Sequence, residues 1–308
     1  MQEIYQQTVS KPVKFEGIGL HSGLISKVKI IPGKDDQGII FKRIDLKSNN
    51  LVNANFQNVS SAKLCTTLKN SFGVKVSTVE HLLAAFYFCG IDNATIEVNN
   101  EEIPIMDGSA KDFVKILHEA GIKKLYNKKK FIKILDKVTL EDKGRTISIE
   151  PNNLDFEVNF QLNYTNKIIG KQKNSVNLTN DDLKDIYSSR TFCLYHDIEE
   201  IKKSGLAKGG SLENAIVVDD NKVINKGGLR NEKEFVNHKI LDLVGDFLLS
   251  GYRILGKVNC YQGGHQLSNI FLKKLLEKKS SFIEVELNNV ELSNSTQINR
   301  AIKLAVNA

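Results

Sequence analysis

Cysteine is scarce in this chain of 308 residues. The four cysteines are far apart, and no two of them form a C-x-x-C pair: Cys65, Cys89, Cys193 and Cys260. This spacing argues against a disulfide framework and against a cysteine-based zinc ribbon. We therefore expect reduced, mostly buried thiols, and any bound metal ion should be held by histidine and carboxylate side chains.

Long hydrophobic runs are also missing, because no apolar stretch approaches the roughly 18 residues that span a membrane. The N-terminal residues MQEIYQQ have neither the positive charge nor the apolar core of a signal peptide. Hydrophobic residues make up 41% of the chain and charged residues 26%, which is ordinary for a globular protein. The sequence therefore predicts a cytoplasmic protein of one large or two smaller domains.

Positive charge exceeds negative charge, with 43 Lys and Arg against 36 Asp and Glu, which gives a net charge of +7. Such a balance favours an anionic partner, either nucleic acid, a phosphorylated metabolite or a membrane surface. The lysines are dispersed in short runs such as 128–130 and 278–279, without an RNA-binding aromatic motif or zinc-finger spacing. We therefore expect a solvated basic surface and no nucleic-acid binding.

Turn and cap signals divide the chain into short strands and several helices. Strands are predicted at 28–31, 38–41, 94–98, 131–135, 146–150, 156–162 and 282–287, and helices at 77–90, 109–121, 181–187, 235–249, 269–277 and from about Ser295. The short basic stretch 123–130 is the best candidate for a linker. The predicted fold class is therefore α+β with two domains, 1–126 and 127–308, each a β-sheet layered with α-helices.

One predicted helix carries three metal-compatible side chains on a single face. At about 100° per residue, His238, Asp242 and Asp246 form a polar stripe. The opposite face is apolar and is formed by Val236, Ile240, Val244 and Phe247. A histidine and an aspartate one turn apart can bind the same metal ion. Taken alone, the pattern fits a solvated helix face at least as well.

The predicted helix at 77–90 supplies another histidine beside a carboxylate. Ser77 and Glu80 have the spacing of a capping box. His81 lies about 200° around the helix from Val79, the centre of the apolar face, so a buried structural role is a poor explanation for it. A carboxylate beside a metal-binding histidine lies where a general base is needed. Glu80 is therefore either a capping residue or a general base.

His265 lies in the glycine-containing stretch YQGGHQLSN at 261–269. Paired glycines allow close backbone approach, so we expect a loop that places this side chain, with an ordinary surface histidine as the alternative. Asp246 could orient the imidazole and raise its pKa toward proton donation. Thr191 and His21 are unremarkable when each is taken alone.

Eight segments together resemble the UDP-3-O-acyl-N-acetylglucosamine deacetylases, the zinc amidases that commit lipid A synthesis in Gram-negative bacteria. They occur in the expected order and span essentially the whole chain. Each is weak alone, but the ordered set is very specific. The segments are GIGLHSG at 17–23, STVEHL at 77–82, GIDN at 90–93, IPIMDGSA at 103–110, RTF at 190–192, AIVVDD at 215–220, HKILD at 238–242 and GGH at 263–265.

The resemblance implies a metal-dependent amidohydrolase that removes the N-acetyl group from UDP-3-O-acyl-N-acetylglucosamine and releases acetate. It implies one catalytic zinc ion, with Fe²⁺ as the alternative, bound by His81, His238 and Asp242. Glu80 would then take a proton from water.

The same resemblance assigns the remaining catalytic roles. His265 would protonate the leaving amine or, as a cation, stabilise the oxyanion, and Asp246 would orient His265. Thr191 would help to hold the oxyanion.

The resemblance also implies how the substrate is bound. The active site would lie in a cleft between the two domains, and an insert near 193–220 in the second domain would form a tunnel for the acyl chain. The implied substrate contacts are Lys239, Phe192, Leu20 and Gly210, with Phe160 and Asp197 on the nucleotide side. The implied partner is this small nucleotide sugar. We expect a monomer with at most peripheral membrane contact.

Two alternatives stay open at this point. The first is a non-catalytic protein that binds a nucleotide sugar or RNA, in which the polar stripe is solvated surface. The second is a zinc amidase of the same fold with a different acyl-sugar substrate. Cys193 and His196 stand where the family more often has glycine and arginine, so a difference in substrate would arise there.

Overall fold

A computed structural model describes residues 3–287 of the chain. The first part of this range contains ten strands and two α-helices. The strands are β1 (Tyr5–Val9), β2 (Val13–Ile18), β3 (Ile25–Pro32), β4 (Ile39–Arg43), β5 (Leu51–Asn53), β6 (Val59–Ser61), β7 (Thr67–Lys69), β8 (Lys75–Val76), β9 (Ala94–Val98) and β10 (Ile122–Lys128). The helices are α1 (Glu80–Phe88) and α2 (Lys111–Ala120).

These strands form three sheets. The largest has the order β2-β3-β9-β4-β5, in which β4 and β9 run parallel and the other neighbours are antiparallel. Strands β6, β7 and β8 form a small antiparallel sheet, and β1 pairs with β10.

The second part contains nine strands and four α-helices. The strands are β11 (Phe131–Ile134), β12 (Val138–Asp142), β13 (Arg145–Glu150), β14 (Phe156–Asn163), β15 (Lys171–Asn177), β16 (Phe192–Leu194), β17 (Ile216–Val218), β18 (Arg253–Tyr261) and β19 (Phe282–Val285). The helices are α3 (Lys184–Tyr187), α4 (Ile198–Lys203), α5 (Glu234–Leu248) and α6 (His265–Glu277).

Strand β18 is the centre of a seven-stranded sheet. It pairs with β13 in antiparallel orientation and with β11 and β14 in parallel orientation. One face of this sheet packs against the hydrophobic core. On β14, less buried polar residues alternate with the apolar residues of that face: Phe156, Val158, Phe160 and Leu162. Strands β16 and β17 are parallel and are connected through α4, so they form a small βαβ unit apart from the large sheet.

Helix α5 lies in the middle of the molecule. It packs against α1, α3 and α6 and against the sheet at β14. One contiguous hydrophobic core runs from Val9 to Phe282 through both parts of the chain. Both faces of α5 are therefore buried, and its polar residues are enclosed within the protein.

The structure confirms the predicted mixture of helices and sheets, and α5 differs from its predicted span by one residue at each end. Among the described residues, no helix combines the length and the apolar character needed to cross a membrane. The helix predicted from about Ser295 lies outside the described residues.

The stretch 123–130, predicted to be a linker, is mostly strand, and the predicted capping box is wrong. Most of the supposed linker belongs to β10, which pairs with β1, and its polar residues reflect the exposure of this two-stranded ribbon. Helix α1 begins at Glu80 without a side-chain cap, because the Ser77 hydroxyl donates to the Glu101 carbonyl instead.

Two helix boundaries also differ from the prediction. Helix α6 begins at His265 rather than at 269, so this histidine starts a helix instead of lying within a loop. Gly264 precedes it in an extended conformation. Helix α3 is shorter than its predicted span and begins only at Lys184.

Candidate active site

The site is built where α1 crosses α5. Gly245 makes this close crossing feasible, because a Cβ atom there would overlap the carbonyl oxygen of Glu80 and lie 3.2 Å from the Ala84 nitrogen. The first turn of α1 therefore lies directly against α5. Glu80 and His81 from α1 thus meet the polar stripe of α5.

Three side chains converge at this crossing. The Nε2 atoms of His81 and His238 lie 3.4 and 3.3 Å from Oδ1 of Asp242. The three potential ligand atoms all lie within 4.8 Å of one another, and all three residues are buried. Two imidazoles and one carboxylate in this arrangement match the ligand set of a catalytic metal site with an open position.

The hydrogen bonding around the cluster favours a bound cation. Among residues 3–287, Oδ1 of Asp242 is buried and accepts no hydrogen bond, whereas such atoms are normally satisfied. The Nδ1 of His238 lies 3.1 Å from the carbonyl of Ser189. A carbonyl only accepts, so Nδ1 carries the proton and the lone pair of Nε2 faces the cluster. The cluster therefore fits a divalent metal ion.

The electrostatics of the cluster agree with this protonation. Burial lowers the pKa of His238 to about 3, so the imidazole is neutral and free to act as a ligand. Burial by itself raises the pKa of Asp242, but the charged Lys239, 3.0 Å from its Oδ2, opposes this effect, and the pKa lies well below its usual value. Both residues are thus in the form that a metal ion requires.

His265 lies beside the cluster between two carboxylates. Its Nδ1 is 2.9 Å from Oδ2 of Asp246, and its Nε2 is 3.6 Å from Oε1 of Glu80. Burial alone lowers the pKa of His265, yet the surrounding carboxylates, led by Asp246, raise it to about 10. Burial raises the pKa of Glu80, although His265 opposes this effect. The pair therefore offers a protonated imidazole beside a carboxylate that can accept a proton.

A cleft of about 320 Å³ opens onto these residues. Thr191, Phe192 and Leu20 line it, together with Lys239. The Nζ of Lys239 donates to Oδ2 of Asp242 at 3.0 Å and lies 5.3 Å from the centre of the Phe192 ring. Burial lowers the pKa of Lys239, but Asp242 outweighs this effect and raises it, so the lysine is charged.

Three of the predicted substrate contacts lie outside the lining of this cleft. Phe160 is buried on β14 beneath Gly263. Asp197 is in an exposed turn, where it pairs with His196 at 3.4 Å. Gly210 is next to Leu20, since a Cβ atom on this glycine would be 3.6 Å from the Leu20 side chain.

A larger cavity of about 470 Å³ lies elsewhere and has no such chemistry. The buried charges in its lining already pair with one another, since Asp92 lies 3.1 Å from Lys129 and 3.2 Å from Arg253. The smaller cleft is therefore the candidate active site.

Sequence patterns missed two residues that shape the site, Glu102 and Arg145. Glu102 is buried and accepts hydrogen bonds from the backbone of His21 and Ser22 and from the Thr78 hydroxyl. It thereby fixes the loop that carries Leu20 into the cleft. Arg145, from the β12–β13 hairpin, also lines the cleft. Neither residue lies in a periodic pattern or a motif that could have marked it.

Comparison with known proteins assigns the chain to a family. A sequence model described as LpxC, UDP-3-O-acyl N-acetylglycosamine deacetylase, matches residues 6–277. Proteins named UDP-3-O-acyl-N-acetylglucosamine deacetylase from Shewanella baltica strain OS155 and from Shewanella oneidensis are each 42% identical over 282 residues. These alignments cover 91% of this chain and 92% of each relative. The chain therefore belongs to the UDP-3-O-acyl N-acetylglycosamine deacetylase family.

Proposed function

We propose that this protein hydrolyses the acetamide of UDP-3-O-acyl-N-acetylglucosamine to the free amine and acetate, the committed step of lipid A biosynthesis. The observation that carries the proposal is the His–His–Asp cluster with His265 and Glu80 beside it, at the edge of a cleft, in a member of this family. Amide hydrolysis needs a nucleophile, a proton acceptor and a proton donor. The chain offers residues for each of these tasks.

His81, His238 and Asp242 would hold the metal ion, which we propose to be zinc. When bound, the ion would supply Lewis acidity that activates water and polarises the acetamide carbonyl. The same ligand set suits Fe²⁺, so iron is the alternative metal. The hydrogen bond from His238 Nδ1 to the Ser189 carbonyl would keep this ligand correctly oriented.

The protein's own groups would move the protons. Glu80 takes one proton from water as the water oxygen bonds to the carbonyl carbon, and the carbon–nitrogen bond of the resulting tetrahedral adduct then breaks. His265 gives its proton to the departing nitrogen, so the sugar leaves as a neutral amine and the acetyl group leaves as acetic acid, which ionises to acetate. Transfer of the proton from Glu80 to His265 restores both residues. Asp246, 2.9 Å from Nδ1 of His265, holds the imidazole in the orientation that this transfer requires.

Other residues would bind the substrate around the reacting amide. Thr191 faces the cleft and would stabilise the developing oxyanion. The charged Lys239 would attract the anionic substrate, with Phe192 and Leu20 forming apolar walls. We propose the βαβ unit around α4 as the acyl-chain site. The roles of Gly210, Phe160 and Asp197 remain predictions.

The larger organisation also belongs to this proposal. The chain would consist of two domains divided at 126/127. Helix α1 of the first domain and helix α5 of the second would then both contribute residues to one site. Monomeric state, a cytoplasmic location and at most peripheral contact with membranes go with the proposed substrate. The net charge of +7 would suit the diphosphate of that substrate.

The test is acetate release from UDP-3-O-acyl-N-acetylglucosamine by the purified protein, with its metal content measured on the same sample. We expect release that a chelator abolishes and that added zinc restores. The variant His265→Ala should keep its metal, because His265 is not among the three proposed ligands. It should lose turnover, because the proposed proton donor is gone.

Three outcomes would contradict the proposal. Full activity in metal-stripped protein would exclude the metal mechanism. Absence of metal together with steeply salt-dependent nucleic-acid binding would favour a non-catalytic protein. Hydrolysis of a different acyl sugar alone would keep the chemistry and change the substrate.

A further inference from the structure

Thr66 connects the two helices of the site, although no sequence pattern marks it. It is buried immediately before β7. Its backbone N–H donates to Oε2 of Glu80 at 3.0 Å, and its hydroxyl donates to Oδ1 of Asp246 at 2.6 Å. Its carbonyl accepts from the backbone N–H of Val79, which precedes α1, at 3.4 Å. One residue thus holds a carboxylate from each helix.

These contacts close a ring of four residues. Each carboxylate uses one oxygen toward Thr66 and the other toward His265. Thr66 therefore lies on the opposite side of the two carboxylates from the imidazole. Within the described residues, it makes no hydrogen bond to the three potential metal ligands and does not line the cleft. Its influence on chemistry must pass through Glu80 and Asp246.

The hydroxyl matters most for Asp246. A carboxyl group rotates in a broad torsional well, so one hydrogen bond does not define its plane. The bonds from Thr66 and His265 approach different oxygens and together fix that plane. The 2.6 Å distance lies at the short end of O–H···O hydrogen bonds, as expected of a hydroxyl that donates to a carboxyl oxygen. Because Asp246 is buried, loss of this donor would leave an oxygen unsatisfied, and the carboxylate would turn to find another partner.

We propose that Thr66 is a positioning residue for the deacetylation, and that its hydroxyl fixes Asp246 and thereby the imidazole of His265. This inference rests on the proposed function, because that function gives His265 its proton-transfer role. It adds a residue of the first part of the chain to the control of a proton donor in the second.

The test compares two substitutions at the same position. Thr66→Val keeps the shape and the backbone N–H but removes the hydroxyl, whereas Thr66→Ser keeps the hydroxyl. We expect Thr66→Val to lower kcat about 10- to 100-fold, as loss of a supporting hydrogen bond at a metal site does. KM and metal content should not change, and Thr66→Ser should retain most of kcat.

The neighbouring Thr67→Val is the matched control. The Thr67 hydroxyl lies 3.8 Å from the Cys65 sulfur and contacts neither carboxylate, so this variant should keep wild-type kcat. In an Asp246→Asn background, Thr66→Val should cause no further loss, because the hydroxyl acts through that carboxylate. Should Thr66→Val fail to fold, Thr66→Ala removes the hydroxyl without adding volume and takes its place.

A spectroscopic measurement separates this inference from the proposed function. In holoenzyme labelled with ¹⁵N-histidine, the Nδ1–H signal of His265 is the one that is missing in His265→Ala. We expect it in the wild type and in Thr66→Ser, and expect it shifted or lost in Thr66→Val. An unchanged signal, wild-type kcat in Thr66→Val, or equal loss in Thr66→Ser would overturn the role of Thr66. Inactive wild-type protein with an intact signal would instead contradict only the proposed function.

Discussion

Among the individual residues, His265 depends on Asp246 for its charge. The carboxylates around it raise the pKa of His265 to about 10, so it stays protonated until the pH exceeds that value. In Asp246→Asn the largest of these contributions disappears and the pKa falls. The high-pH side of the kcat profile should therefore move to lower pH, with kcat itself reduced about 10- to 100-fold.

The measurement is kcat against pH on protein of verified metal content. Asp136→Asn, which changes an exposed aspartate in the turn between β11 and β12, serves as the control and should keep the wild-type profile. A profile that is unchanged in Asp246→Asn would show that Asp246 does not set the protonation of His265.

Residue patterns marked the part of the candidate site that lies on one helix. Helical periodicity alone places His238, Asp242 and Asp246 on one stripe. The alternative of a solvated face is wrong, because these residues are only 1–3% exposed. Thr66 was beyond prediction for a physical reason: it lies in no periodic pattern, and its hydroxyl bonds to a residue 180 positions away.

For individual helices and strands, local signals gave the identity of most segments but not all of their ends. The capping-box prediction failed because both of its side chains have tertiary partners. Glu80 accepts from Thr66, and Ser77 donates to Glu101. Helix α6 includes His265 because Gly264 is extended and the turn of helix begins directly after it. Sequence signals near helix ends compete with such long-range contacts, which a local pattern does not contain.

The crossing of α1 and α5 depends on the absence of a side chain at Gly245. In Gly245→Ala the added Cβ would overlap the Glu80 carbonyl oxygen, and relief requires the two helices to separate. We expect a loss of about 1–3 kcal/mol in the free energy of unfolding, as overpacking of a core typically causes. His81 would then move away from His238 and Asp242, so metal affinity should fall as well.

Denaturant unfolding and metal titration test this prediction. Gly245→Ser should have a larger effect than Gly245→Ala, because the added group is bigger and the obstacle is backbone. Wild-type metal affinity in both variants would show that the helix spacing does not control the metal cluster.

Across the whole molecule, the sequence indicated the α+β class but not how the parts are joined. The predicted linker 123–130 is mostly strand, and the larger hydrophobic cluster includes residues from both parts. Polarity suggested a linker because a two-stranded ribbon exposes most of its side chains, just as a loop does. The site combines residues from α1, α5 and α6 with a loop before β7, and no one-dimensional pattern describes such a meeting.

The far end of α1 is held by Arg253, at the start of β18. Its guanidinium donates to the carbonyls of Tyr87 and Ile91 at 2.9 and 3.2 Å and pairs with Asp92 at 3.2 Å. Arg253→Met removes these bonds and leaves two buried or part-buried acceptors without their donor. Asp92 keeps its pair with Lys129, so we expect about 1–3 kcal/mol less free energy of unfolding, the usual cost of leaving a buried acceptor unsatisfied. Denaturant unfolding measures this loss, and Lys27→Met, which breaks an exposed pair with Glu16, should leave the midpoint unchanged. Equal unfolding midpoints for Arg253→Met and the wild type would contradict this prediction. The α1–α5 crossing and the shared core would then be sufficient to hold the two parts together.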